Sequence, residues 1–219
     1  MMLMGKTALL CSLLVVGCMA DNKDDANSYM DRVAHDFLPS SVKSMSLDPH
    51  KLDDFDVKIE GTSFPYSREF HAKLREGTLN GLSNVVSRDG DCSSWKSDNV
   101  TVGCHILLGG IKAEYQVTSK GDELFGSTKE YTAVLEVTKI KVSLEITKHS
   151  NKPAYVRTFE IQSMELSFVT SKVLQLNQGR TEMYHAKAKQ QVQNNIRELL
   201  SGSFRVALQL SAQSVPLNN

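Results

Sequence analysis

Apolar residues first recur at helical spacing between Ala26 and about Lys43. Tyr29, Met30, Val33, Phe37 and Leu38 fall three and four apart, which puts them on one face of a helix. Pro39 is placed to end or bend it, and Asp48-Pro49-His50 reads as a turn or connector. Alternation then replaces the helical period. Phe55, Val57 and Ile59 alternate with polar residues, as do Val100, Val102, Cys104, Ile106 and Leu108. After Gly109-Gly110 come Ile111, Ala113, Tyr115 and Val117, which predicts a hairpin with a tight glycine turn.

Two longer strands follow. Tyr131, Ala133, Leu135 and Val137 point one way, the phase slips by one, and Ile140, Val142, Leu144 and Ile146 continue. Phe159 and Ile161, then Met164, Leu166 and Phe168, slip in the same manner, with the turn His149–Pro153 between the strands. Such slips mark bulges or strong bends, so the sheet is expected to curl. From about Thr181 to Leu210 the helical period returns, with a stripe of Ala188, Val192, Ile196, Leu199, Leu200, Ala207 and Leu210. Lys187, Lys189, Gln190, Gln193, Arg197 and Glu198 fill the other face, and Gly202 is a possible bend. Such a helix is on the order of 40 Å long and needs a curved sheet to bury its stripe. The expected fold is α+β: a curled antiparallel sheet wrapped around a long C-terminal helix, with an N-terminal helix.

The first twenty residues add a destination. Lys6 is followed by the apolar run Ala8–Gly17, shorter than the roughly 20 residues that span a bilayer, and Cys18-Met19-Ala20 fits small-x-small cleavage. Residues 1–20 therefore read as a secretory signal peptide and 21–219 as a single domain. Val15-Val16-Gly17-Cys18 also fits a bacterial lipoprotein box, the alternative for this segment. No later run is long enough to cross a membrane. Removing the leader leaves 199 of 219 residues, with 24 basic against 25 acidic. That balance, without a basic stripe, disfavours nucleic acid as a partner.

Cys92 and Cys104 remain after cleavage. In an oxidising compartment they most simply form one disulfide, closing a loop that holds Trp95 and the glycosylation sequon Asn99-Val100-Thr101. Two buried free thiols are the alternative. Two cysteines are too few for a structural zinc site, and no metal or cofactor is expected. Motifs for metal hydrolysis, phosphate loops and dinucleotide binding are absent. Gly81-Leu82-Ser83-Asn84-Val85 lacks the second glycine of a nucleophile elbow and reads as a turn next to a strand. Asp53, Asp54 and Asp56 lack the later residues of a calcium loop and read as a solvated acidic turn. His105, among apolar neighbours, reads as a structural histidine. These absences point away from an enzyme.

The ordered pattern resembles the group 7 mite allergens, which belong with arthropod juvenile-hormone-binding proteins and bactericidal/permeability-increasing proteins. The closest local match is Leu79–Val85 followed by Val102–Tyr115. The cysteine pair is a departure from the mite allergens and implies a differently shaped loop. The resemblance implies a half-size member of a lipid-binding superfamily with an apolar cavity between sheet and helix. It carries over no individual pocket residue. Strand phase instead nominates Ile106, Leu108, Tyr115, Leu135, Leu144 and Phe168 as one wall and Val192, Ile196 and Leu200 as the other. A lipocalin is disfavoured, because the sole tryptophan is Trp95 and the C-terminal helix is long. The expected function is a secreted, non-enzymatic carrier of an apolar or lipid-like ligand. The alternative is a secreted effector that binds another protein and has a packed core.

Overall fold

The computed structural model describes residues 18–63, 66–122 and 128–217, so the predicted leader lies outside the described residues up to position 17. Helix α1 (Cys18–Arg32) continues through a π-helical turn, Val33–Phe37, into α2 (Leu38–Ser44). Pro39 falls in the first turn of α2, directly after the π-helical turn, and the helix runs on past it to Ser44 instead of ending there. Tyr29, Met30, Val33 and Leu38 are buried as their spacing predicts, while the wider π turn leaves Phe37 half-buried.

The sheet is antiparallel throughout. Strands β1 (His50–Lys51) and β2 (Phe55–Ile59) pair with β5 (Phe70–Asn80), and β3 (Thr62–Ser63) and β4 (Tyr66–Ser67) form a small separate ladder. Beyond them lie β6 (Val86–Arg88), β7 (Ser93–Lys96), β8 (Asn99–Leu108), β9 (Lys112–Lys120), β10 (Lys129–His149) and β11 (Tyr155–Thr170). The axis is β10, at 21 residues. Along one of its edges β9 pairs with Lys129–Glu136 and β8 with Ile140–His149; β11 pairs along the other.

This arrangement corrects the expected hairpin. β8 and β9 do not pair with each other; they run end to end along the same edge of β10. Gly110, at φ 76°, donates its N–H to Val137 O, and Val137 donates back to Ile111 O. The diglycine therefore steps the chain across a bulge in its neighbour instead of reversing it. The bulge is the predicted slip: the register with β11 shifts between Val137 and Lys139, and β11 shifts in turn opposite Lys141–Val142. On the other side, Gly81 at φ 96° lies so close that a Cβ there would meet Gly110 O at 3.0 Å. Irregularities at Gly81, Gly109–Gly110 and Thr138 thus line up across adjacent strands, where the sheet bends.

Strand β5 was not legible as a strand. Phe70, Ala72, Leu74 and Leu79 face inward, but a register shift between Arg75 and Thr78 breaks the alternation.

Helix α3 (Gln178–Leu199) passes through a π-helical turn, Leu200–Phe204, into α4 (Arg205–Ser214). Asn177 caps it by accepting the Arg180 N–H. Both edges of the sheet reach this helix. Lys187 donates to Lys58 O of β2 at 2.7 Å, while Gln193 donates to Met164 O and Arg205 to Val156 O of β11. The curled sheet around a long helix is therefore present as expected. One member of the predicted stripe is corrected: Leu210 is 46% exposed, and Leu208 and Ser211 are buried instead. The π turn adds a residue to one turn, which rotates the inward stripe past Gly202.

Candidate functional site

The candidate wall residues come from four strands, a helix and the π-helical turn that follows it. Ile106 and Leu108 lie on β8, Tyr115 on β9, Leu135 and Leu144 on β10, and Phe168 on β11; Val192 and Ile196 lie on α3 and Leu200 in the π turn. All except Phe168 are at most 1% exposed and share one apolar core. A side chain facing even a water-sized void would keep exposed surface, so these residues are packed side to side. Phe168 is half-buried and meets the Tyr184 ring edge-on at 5.3 Å. Burial pushes the Tyr115 hydroxyl up to about 12, against a contact with Asn195 that lowers it. The Tyr115 ring occupies the space a side chain would need at residue 77, where a Cβ would approach it to 2.3 Å.

One end of this interior is polar. The Tyr131 and Tyr184 hydroxyls meet at 3.0 Å, and burial raises both of their pKa values. Arg180, 5% exposed, donates to Arg68 O at 2.6 Å and Gly121 O at 3.3 Å. Its pKa is lowered by burial, partly offset by the charge of Asp122. The Asp122 side chain, fully buried, pairs with Lys129 at 2.6 Å. Sequence periodicity missed this cluster, because Arg180 falls in the first turn of a helix expected to begin at Thr181.

Cys92 and Cys104 form the expected disulfide. Cys92 N–H donates to Asn27 of α1, which ties that helix to the loop. Asn99 opens β8 and is half-buried. His105 corrects its expected role: it lies on the outer face of β8 and is exposed. Asp53, Asp54 and Asp56 are exposed as expected, with Asp54 and Asp56 paired to Arg75. Among the described residues no group of three His, Cys, Asp or Glu side chains is placed to hold a metal ion.

The open volume lies elsewhere. A cleft of about 370 Å³ runs between α1, β7, β8 and the C-terminal tail, lined in part by Tyr29, Arg32, Lys96, Val102 and Leu217. Shallower hollows of about 580 Å³ and 340 Å³ flank α3 beside β2 and beside β1. None of the candidate wall residues lines these three. The cleft joins segments far apart in sequence, and no local pattern announces it. Trp95, 42% exposed, is the only tryptophan and sits at this edge.

The chain matches no family model. It is 25% identical over 196 residues to "Salivary anticoagulant protein P23" of Ixodes scapularis, covering 88% of each chain. Among solved structures it resembles lipopolysaccharide binding protein, at a TM-score of 0.50 and 11% identity over 88% of this chain. It spans 39% of that larger molecule. A likeness to Takeout 1 of Epiphyas postvittana covers 90% of this chain and 94% of the other, with a TM-score of 0.37 and 16% identity. Neither structural likeness singles out the group 7 mite allergens.

Proposed function

We propose that this chain is an exported, non-catalytic binding protein whose ligand is apolar and lipid-like, held between the curled sheet and the long helix. The observation that carries this reading is where the polar contacts of the helix fall. Lys187, Gln193 and Arg205 hold it at the sheet edges, while Ala188, Val192, Ile196 and Leu200 are buried in the apolar core that the sheet and helix share. Matter entering there must be apolar, because an unpaired polar group would lose several kcal/mol, roughly 2–7, on burial. The walls are packed together, so entry requires the helix to part from the sheet. The fold shared with a protein named for binding lipopolysaccharide supports the reading.

Ile196→Ala tests it together with uptake of a fluorescent fatty acid. The substitution is expected to cost about 2–5 kcal/mol of stability, as for a packed core. The wild type takes up the probe, and the probe restores part of the lost stability in the variant. Failure of both proteins to bind any apolar probe contradicts the reading.

A second reading has its own observations. The side-to-side packing of the core and the likeness to a salivary anticoagulant protein favour an effector that acts on a clotting protein through its surface. The cleft between α1, β7 and β8 is its natural contact. Lengthened plasma clotting by lipid-stripped protein supports this reading; unchanged clotting contradicts it.

A further inference from the structure

The cleft between α1, β7, β8 and the tail Val215–Leu217 differs from the packed interior in that its walls are held apart. Arg88 donates to both carboxylate oxygens of Asp31, at 2.6 and 3.0 Å. Asn27 joins α1 to Asp91 and to the Cys92 N–H of the disulfide loop. Tyr29 donates to Ala212 O at 3.0 Å and Lys148 to Leu217 O at 2.9 Å, which ties α4 and the tail after it to α1 and β10. Trp95 is seated as well: a Cβ at residue 103 would approach its ring to 2.9 Å, so the indole lies against the backbone of β8. Between these walls about 370 Å³ stays open, within the range of roughly 300–1,000 Å³ that small-molecule sites occupy. Walls fixed in advance lower the cost of ordering a site around its ligand.

The cleft has surfaces of two kinds. Ala26, Tyr29, Val100, Val102, Val215 and Leu217 are buried and form an apolar floor. Charge is confined to the exposed rim, where Arg32 and Lys96 stand with the single carboxylate of Asp25. Among the described residues Lys96 and Asp25 form no ion pair. Arg32 meets Asp36, which does not line the cleft, at 3.9 Å, and an exposed pair of that length holds it weakly. Trp95, 42% exposed, adds an aromatic face at the same edge.

We propose that this cleft is a second ligand site, separate from the apolar interior, and that it takes a compact amphipathic anion. The apolar body of the ligand lies on the floor beside Trp95, and its carboxylate is met at the rim by Arg32 and Lys96. A neutral ligand of the same shape buries the same apolar surface and gains nothing at the rim.

Trp95 is the only tryptophan of the chain, so collisional quenching of its fluorescence by acrylamide reports on this cleft alone. The test titrates the protection of Trp95 by phenylpropionate and by the neutral phenylpropanol on the full secreted chain. The wild type is expected to bind the anion about fivefold more tightly, in keeping with contacts to exposed cations. Replacing both cations, Arg32→Gln with Lys96→Gln, removes the preference, and Asp25→Asn raises it. Salt at about 1 M, where the screening length falls to about 3 Å, removes it in the wild type. All three positions are exposed, so these variants keep the fold. Equal affinity for the two ligands, or a preference that neither the variants nor salt change, overturns the anion site. So does a Trp95 that neither ligand protects; if that protein still lengthens clotting, the cleft is a protein contact instead. Uptake of a fatty acid by the interior is read separately, so the two sites stand or fall independently.

Discussion

The Asp48 carboxylate accepts the backbone N–H groups of Gly81 at 2.9 Å and Ser83 at 2.7 Å, and the Ser83 hydroxyl as well. It thereby pins the 3₁₀ turn Leu82–Asn84 where the chain passes from β5 to β6 and the sheet bends. Partial burial works against its charge. The hydrogen bonds from the Ser83 hydroxyl and from the Gly81 and Ser83 backbone outweigh this and hold the carboxyl below its ordinary value. A depressed carboxyl contributes stability that is complete above its unfolded pKa, about 3.9, and that disappears as pH falls through the lower folded value. Asp48→Asn is therefore expected to lose on the order of 1–3 kcal/mol at neutral pH and to show a shallower loss on acidification below about pH 4. Thermal melts from pH 7 to pH 2 check this; parallel acid limbs in the two proteins contradict it. Nothing in the sequence marks Asp48, because its partners lie more than thirty positions away.

At the scale of elements, one sequence signal corresponds to two different structures. Between Val137 and Ile140 a slip of the inward phase predicts a bulge, and the register shifts there. Between Leu108 and Ile111 the same slip coincides with Gly109-Gly110 and predicts a hairpin turn, yet β8 and β9 do not pair. The difference lies in pairing, which a single strand's periodicity does not carry: β10 is long enough to template both β8 and β9 on one edge. The inward residues of these strands were legible because alternation survives either topology. β5 was not, because its bulge interrupts a short apolar pattern. The long helix was legible in its stripe up to Leu200, and beyond it the π turn changed the phase. Gly110→Ala is expected to cost roughly 1–2 kcal/mol, since its φ of 76° is left-handed, while Gly110→Asn costs less. Urea unfolding of both variants measures the difference, and equal losses would count against the step geometry.

Across the whole molecule, the fold was more legible than the site. The disulfide and the curled sheet on a helix follow from composition and periodicity and are present, whereas the leader on which export was expected lies outside the described residues up to position 17. The candidate wall residues were found because inward phase is a local property, and the structure gathers them in one core. Their packing, the polar end at Arg180 and the surface cleft arise only when segments remote in sequence meet. The central claim is that this interior accepts an apolar molecule. Native mass spectrometry of the protein secreted by insect cells, followed by solvent extraction, tests it most directly. A non-covalent adduct with the mass of a single-chain lipid is expected, removed by extraction and regained on adding laurate. A spectrum showing only the bare chain, both before extraction and after laurate is added, would contradict it.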